Sequence, residues 1–403
     1  MASFFNPKAR LWLSGRQGLF SKIEAFRKEN EGNLIWFHCA SLGEFEQGRP
    51  VIEGLKKMQP DCKIVVTFYS PSGYEIRKNY DLADAVFYLP LDTKYNAQKF
   101  VNSLRPDTAI FVKYEFWYHH LFELSRQSIP TLLISAVFRE EQIFFKWYGG
   151  LHRQMLTFFD RIFVQDELSL KTLQSIDIQN IVLSGDTRID RVLNIAKENK
   201  RIEQAEFFKG DYPVIVCGST WSPDEKILSK VIADDAFSHW KFIIAPHEIG
   251  EKHLQQIEAD LPLSTIRFSK INKQNAKDFR ILLVDNIGLL SALYRYGDLA
   301  YIGGGFGAGI HNTLEPMAHR LPIIFGPKYQ KFTEANYLVK SGGGFVVNNE
   351  NDLHKVFVNL NNNETRKVAA EKARKYIFEN EGASIGVVEY LRVRGQESGV
   401  RQP

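Results

Sequence analysis

The sequence predicts a parallel, doubly wound α/β fold in two domains, and three observations predict it. Short apolar runs alternate with helical patterns along most of the chain, which is how parallel sheets covered on both faces read. A polar, charge-rich stretch interrupts the alternation near residue 200, after which it resumes. Glycine-rich or Ser-Gly turns follow several of the apolar runs, where such folds place their ligand-binding loops.

The elements follow in order. Residues 33–39 (NLIWFHC) suit a first strand, followed by Ala40–Glu44 and a helical pattern to about Met58. Lys63–Tyr69 is a second strand, and Ser70-Pro71-Ser72-Gly73 starts another helix. Ala85–Leu89 and Thr108–Val112 flank a helical segment around Ala97–Leu104, and Thr131–Ser135, Arg161–Gln165 and Asn180–Ser184 continue the series. Ile195–Gly210 reads as the linker, giving domains 1–200 and 201–403. Pro213–Cys217, Lys241–Ala245, Arg280–Val284, Leu299–Ile302, Pro322–Phe325 and Gly344–Val347 are the strands of the second series.

With 403 residues, 44% of them hydrophobic, the chain can bury two domain cores. Its three cysteines (Cys39, Cys62, Cys217) sit singly in or beside apolar runs, and no C-x-x-C or Cys/His spacing occurs. This points to a reduced, cytoplasmic setting without structural zinc. A net charge of +4 is mild and does not indicate nucleic acid. The 30 phenylalanines suggest an apolar ligand or surface. No run of about 18 apolar residues is present to span a bilayer. The basic, aromatic start, MASFFNPKARLWLSGRQGLF, is not a signal peptide.

The organising stretch is Asp298–Gly326. The strand Leu299–Ile302 runs into five glycines within Gly303–Gly309, a helical pattern begins near Asn312, and the next strand follows. Such a βαβ unit allows close backbone approach and offers helix N-terminal N–H groups to an anion. Glu315, one turn inside that helix, suits a vicinal diol, so phosphate beside ribose is the favoured ligand. Gly303–Ala308 also fits the dinucleotide pattern G-x-G-x-x-A. That pattern belongs in an opening βαβ unit with an acidic residue about 20 positions on. Here it comes late in the chain and Ile323–Phe325 occupies that place, so the oxidoreductase reading is weak. A flexible loop with a helix-start glutamate is the plain alternative.

The run G-G-x-x-x-x-G-x-H-N-x-x-E-P at Gly303–Pro316, together with Ser41-Leu42-Gly43-Glu44, resembles the bacterial Kdo (3-deoxy-D-manno-octulosonic acid) transferases. The resemblance spans about Asn6 to Arg394. It implies a GT-B fold, two Rossmann-like domains facing a cleft, with the last helical segment, Ala383–Arg394, crossing back onto the first. It implies an inverting, lipid A-specific glycosyltransferase of lipopolysaccharide core biosynthesis. CMP-Kdo is the expected donor, a lipid A precursor the acceptor, and the cytoplasmic face of the inner membrane the location. No metal or other cofactor is expected. It also implies a hydrophobic anchor ahead of the Asn6–Arg10 segment, and Met1-Ala2 reads as an added start to a shortened chain.

Residue by residue, the resemblance makes Glu44 the general base, although Ser-x-x-Glu after a strand is also a capping box. Glu115, in Lys113–Trp117, becomes the second acidic residue. Lys113 and Tyr118 depart from the family pattern, and an exposed loop glutamate is the alternative. Arg188, in Ser184–Arg188, stands where the family has lysine, and Asp186 where it has asparagine. A cation there neutralises charge growing on the donor phosphate, or pairs with Asp186 or Asp190. Donor contacts are expected from Ser219, His247, Ile287, Gly288, Leu289, Gly304, Gly305, Asn312, Thr313, Leu314 and Glu315. His247 lies in Ala245–Glu248, which lacks the family's arginine, and Val284–Leu289 lacks its glutamate. Finally, Arg139–Arg153 interleaves aromatic and basic residues, which suits an anionic membrane surface or an ordinary packing helix. Another GT-B transferase, a nucleotide-sugar epimerase, or a non-catalytic lipid- or nucleotide-binding protein are the alternatives.

Overall fold

The computed structural model describes residues 7–198 and 201–399. Met1-Ala2, Asn6 and the expected boundary at residue 200 lie outside them. The chain divides into two compact units. The first runs to Arg191 and takes in the residues from Glu381 onward, and the second is Val192–Asn380.

The first unit holds β1 (Leu34–Cys39), β2 (Lys63–Phe68), β3 (Ala85–Tyr88), β4 (Thr108–Val112), β5 (Thr131–Ala136), β6 (Arg161–Val164) and β7 (Ile181–Leu183). They form one sheet in the order β3-β2-β1-β4-β5-β6-β7, every pair parallel. All six residues of β1 are buried, as expected of a central parallel strand covered on both faces. Leucine, phenylalanine, isoleucine and valine dominate the two layers around it. Burying each large apolar side chain contributes about 1.5–3 kcal/mol. Many phenylalanines serve this purpose, Phe37, Phe45, Phe68 and Phe111 being fully buried. Their abundance is therefore largely a core property rather than a ligand surface.

The second unit repeats the plan with β8 (Val214–Thr220), β9 (Lys241–Pro246), β10 (Thr265–Arg267), β11 (Ile281–Leu283), β12 (Leu299–Ile302), β13 (Ile323–Phe325) and β14 (Gly344–Val346). The order is β10-β11-β9-β8-β12-β13-β14, again all parallel. β10 is an edge strand that the apolar pattern does not announce. In both sheets the strand order reverses once, between β1 and β4 and between β8 and β12. Loops leaving the carboxyl ends of strands at such a reversal diverge and leave a crevice.

The charge-rich segment expected as a linker is largely helical. Thr187–Lys197 and Glu203–Lys209 are helices, and Ala205 and Phe208 of the second are buried. Its charges lie on a solvated face, which the composition alone cannot distinguish from a linker. At the far end, the helix Ala383–Gly399 packs on the helix Leu42–Met58. A Cβ at Gly54 would lie 2.9 Å from Val388 Cγ2. The Asp190 carboxylate accepts from the Gly382 and Ser384 N–H groups, both at 2.6 Å, and fixes the start of that terminal helix.

Candidate functional site

In the first unit, two carboxylates flank the β1/β4 reversal. β1 ends at Cys39, and Ser41 caps the helix Leu42–Met58 in a reciprocal box with Glu44. Glu44 Oε2 accepts from the Ser41 N–H at 2.9 Å and from the Ser41 hydroxyl. The capping reading of Ser-x-x-Glu is thus realised. Glu115 follows β4 after Lys113, whose φ of 71° places it in the left-handed region, a strained backbone of the kind found where side chains are aimed. Only 8% of Glu115 is exposed, so the exposed-loop alternative does not apply. Its Oε2 accepts from Trp117 Nε1 at 2.6 Å and lies 3.0 Å from His38 Nε2. The Cys39 thiol lies near both glutamates: burial first, then Glu44 and Glu115, push its pKa well up, so it is a neutral filler.

Arg188 stands at the start of the helix Thr187–Lys197. The Thr187 hydroxyl donates to the Gln47 carbonyl at 2.6 Å and shares a 2.8 Å bond with Ser135, tying this helix to the Glu44 helix and to β5. The Arg188 guanidinium is paired with Asp186, at 2.9 Å from Nε and 2.6 Å from Nη2. That is the pairing anticipated as the alternative to phosphate contact.

In the second unit, β8 and β12 approach through bare backbone. Ile302 is in register with Gly218. A Cβ at Gly303 would fall 2.2 Å from the Ser219 carbonyl oxygen, and one at Gly305 would fall 2.6 Å from Gly326 backbone atoms. Gly304 has φ 89°, which suits glycine alone. Ser219 itself has φ 53°. Buried Asp224 holds this loop, accepting from Gly304 N at 2.9 Å, Trp221 N at 3.0 Å and the Tyr301 hydroxyl at 2.8 Å. Burial raises the Asp224 pKa in spite of those three donors.

Beside the loop, three rings are stacked. His247 lies 4.5 Å from Trp221 and 4.6 Å from His311 between ring centroids, at interplanar angles of 24° and 25°. Trp221 Nε1 donates to His311 Nε2 at 2.9 Å. Burial, reinforced by His247, lowers the His311 pKa, so that nitrogen remains an acceptor. Trp221, Asp224 and His311 are not among the residues expected to contact the donor. His311 lies inside the quoted glycine motif, whereas Trp221 and Asp224 carry no signal beyond following Gly218-Ser219-Thr220.

The helix expected near Asn312 spans only Leu314–Ala318. Glu315 is therefore its second residue rather than one turn inside, and five residues carry little of a helix dipole. The Asn312 side chain accepts from Leu314 N at 3.0 Å and donates to Glu315 Oε1 at 3.2 Å. Thr313 is buried, and its hydroxyl has no partner among the described residues. The Ile287–Leu289 turn, with Ile287 86% exposed and Gly288 at φ 89°, leads into Leu290. Leu290 methyls come within 3.0 Å of a Cβ built on Gly218, and Tyr294 lies over the same glycine. Burial, with Glu315 next, raises the Tyr294 pKa. Ser219, Gly304, Gly305 and Glu315 thus share one neighbourhood, with His247 reaching it through the ring stack. No group of three or more His, Cys, Asp or Glu among the described residues could hold a metal.

The segment Arg139–Arg153 divides into a 3-10 turn, Ile143–Phe145, and a helix, Gly150–Leu156. Phe144 is buried, while Trp147 is 91% and Tyr148 60% exposed. No helix among the described residues is long and apolar enough to cross a membrane.

Residues 13–191 match the family model of the 3-deoxy-D-manno-octulosonic-acid transferases (kdotransferases). The chain is 28% identical over 368 residues to the 3-deoxy-D-manno-octulosonic acid transferase of Chlamydia trachomatis serovar A, covering 88% of this chain and 84% of that protein. It is 28% identical over 338 residues to that of Aquifex aeolicus, covering 81% and 87%. In three dimensions it resembles UDP-GlcNAc 2-epimerase from Neisseria meningitidis, with a TM-score of 0.62 at 18% identity, covering 89% of this chain and 99% of the other. That likeness shows the fold, the GT-B pairing of two Rossmann-like parallel-sheet units.

Proposed function

We propose that this chain is a member of the 3-deoxy-D-manno-octulosonic acid transferase family and an inverting glycosyltransferase that moves Kdo from CMP-Kdo to a lipid A precursor. The matching family model and the similar proteins are named for transfer of 3-deoxy-D-manno-octulosonic acid (Kdo), and lipopolysaccharide core biosynthesis is the setting inferred for it. The donor, the acceptor and the residue roles are inferred. The observation that carries the reading is Glu44 and Glu115 on either side of the β1/β4 reversal, within the segment that the family model matches.

The first unit reads the acceptor and the second the donor. Glu44 takes the proton of the attacking hydroxyl, which displaces CMP from the anomeric carbon of Kdo with inversion. Glu115 shapes the acidic side of that crevice. CMP contacts come from Ser219, His247, the Ile287–Leu289 turn, Gly304, Gly305, Asn312, Thr313, Leu314 and Glu315. Glu315 holds the ribose. Loop N–H groups stabilise the leaving phosphate. Arg188 joins them by exchanging Asp186 for that phosphate. CMP leaves as a monophosphate, which N–H donors and a guanidinium can balance.

The exposed Trp147 and Tyr148, next to Lys146, support docking of this unit on an anionic membrane at the cytoplasmic face. Vesicle co-sedimentation should rise with anionic lipid and fall with salt. Mass spectrometry of a lipid A precursor incubated with the protein and freshly generated CMP-Kdo tests the activity directly. An unchanged acceptor mass, with the donor intact, would refute it.

A further inference from the structure

The alternation of β1 puts Trp36 and His38 on one face of the first sheet. Parallel pairing sets Thr67 of β2 in register with His38. Trp36, His38 and Thr67 are all fully buried. Trp36 Nε1 lies 2.8 Å from Thr67 Oγ1, which lies 2.9 Å from His38 Nδ1, and His38 Nε2 lies 3.0 Å from Glu115 Oε2. These contacts form one chain from the core to the candidate carboxylate.

Donor and acceptor capacities give that chain a direction. An indole N–H can only donate, so Thr67 Oγ1 accepts from Trp36. The threonine then has one proton and two neighbours, His38 Nδ1 at 2.9 Å and the Phe37 carbonyl at 3.4 Å. A hydroxyl bond is normally no longer than about 3.0 Å, so the proton goes to Nδ1. A neutral imidazole accepting at Nδ1 carries its hydrogen on Nε2. That hydrogen points at Glu115 Oε2, the atom that also receives Trp117 Nε1 at 2.6 Å. Edge contacts with Phe111 and Trp117, at centroid distances of 5.6 and 5.9 Å, hold the ring plane.

We propose that His38 is the positioning residue of Glu115. The Trp36–Thr67 chain fixes it as the Nε2–H tautomer, so that two N–H groups clamp one carboxylate oxygen and leave Oε1 to face the substrate. This rests on the reading of Glu115 as a residue of the transfer site. The clamp fixes the carboxylate's rotation without spending both oxygens, since no described residue donates to Oε1.

The test has one arm that does not use activity. Long-range ¹H–¹⁵N spectra of the histidine-labelled protein should show His38 as the Nε2–H tautomer. Thr67→Val, which keeps the shape and removes the hydroxyl, should produce a tautomer mixture. A wild-type Nδ1–H tautomer overturns the proposal. In the kinetic arm, His38→Leu should lower kcat about 10–100-fold, as for other groups that orient a functional side chain, with KM for both substrates unchanged. His38→Gln, which can present an amide N–H near the Nε2 position, should recover most of that loss. Glu115→Gln separates the two failures. If it turns over normally, the reading of Glu115 falls. If it is crippled while folded His38→Leu and Thr67→Val both turn over normally, the positioning role alone falls. If His38→Leu does not fold, the turnover of Thr67→Val and His38→Gln decides the kinetic arm in its place.

Discussion

The β1/β4 crevice and the β8/β12 crevice stand at matching points of two similar sheets, yet they are made of different material. The first is built from side chains: Glu44 on its cap and Glu115 under two N–H donors. The second is built from main chain, with glycines where side chains cannot fit and Asp224 holding Gly304 and Trp221 by their N–H groups. A crevice that performs proton chemistry needs titratable groups held at fixed angles. One that cradles a phosphate needs close backbone approach. One topology thus supplies two kinds of surface, and substitutions should fail differently in each.

The largest effect belongs to the first crevice. Glu44→Gln keeps the capping box, because glutamine also reaches back to the Ser41 N–H, but cannot take a proton. Turnover should fall by about 10²–10⁴, with little change in melting temperature or CMP affinity. Near-normal turnover of the folded variant means that the cap is the residue's whole role.

In the second crevice the expected loss is of shape. Gly303→Ala forces its Cβ against the Ser219 carbonyl oxygen, 2.2 Å away, and Thr220 Cα, 2.6 Å away. Since backbone must move, about 1–3 kcal/mol of stability should go, and CMP affinity with it. A calorimetric scan and titration matching wild type contradict the described loop. Glu315→Ala leaves ribose hydroxyls unsatisfied and should cost about 1–3 kcal/mol of CMP affinity with turnover at saturating donor little changed. Calorimetry showing unchanged affinity moves the ribose elsewhere.

The smallest effect concerns acid. Buried His120 hydrogen-bonds Asp92 through Nδ1 at 2.8 Å. Burial lowers the His120 pKa, while bonds to His120 and to backbone N–H groups outweigh burial and lower that of Asp92. A folded pKa below the unfolded one means fewer protons bound when folded. The histidine's contribution is therefore complete above its unfolded value of about 6.5, and declines as pH falls towards and through its folded value. Melting temperature should drop on acidification from pH 7, and His120→Asn, which keeps a donor to Asp92 but does not titrate, should flatten that slope. An unchanged slope assigns the acid sensitivity to other groups.

Much of this was legible in the chain because parallel strands covered on both faces are continuous apolar runs. Thr108–Val112 and Leu299–Ile302 have the bounds that the pattern predicts. β10 was not legible, since three residues at a sheet edge carry no period. The helix Glu203–Lys209 was hidden because charge outnumbers the two residues it buries. The glycine loop announced itself by composition, whereas Trp221 and His311 meet across 90 positions of sequence, and no local pattern records such a pairing. His38 stood in the predicted first strand, but its partner Glu115 is 77 residues away, so its task became visible only with the strand order.

The close approach of the loop after β12 to the ends of β8 and β13 also limits what a genome can write there. Any replacement of Gly303 or Gly305 by another residue begins with the same atom, in the space that Ser219 or Gly326 backbone already fills. Gly307 has nothing nearer than 3.5 Å at that place. A saturation library selected for growth should therefore return glycine almost alone at the first two codons and a mixed alphabet at the third. One loop, read codon by codon, would report where main chain touches main chain.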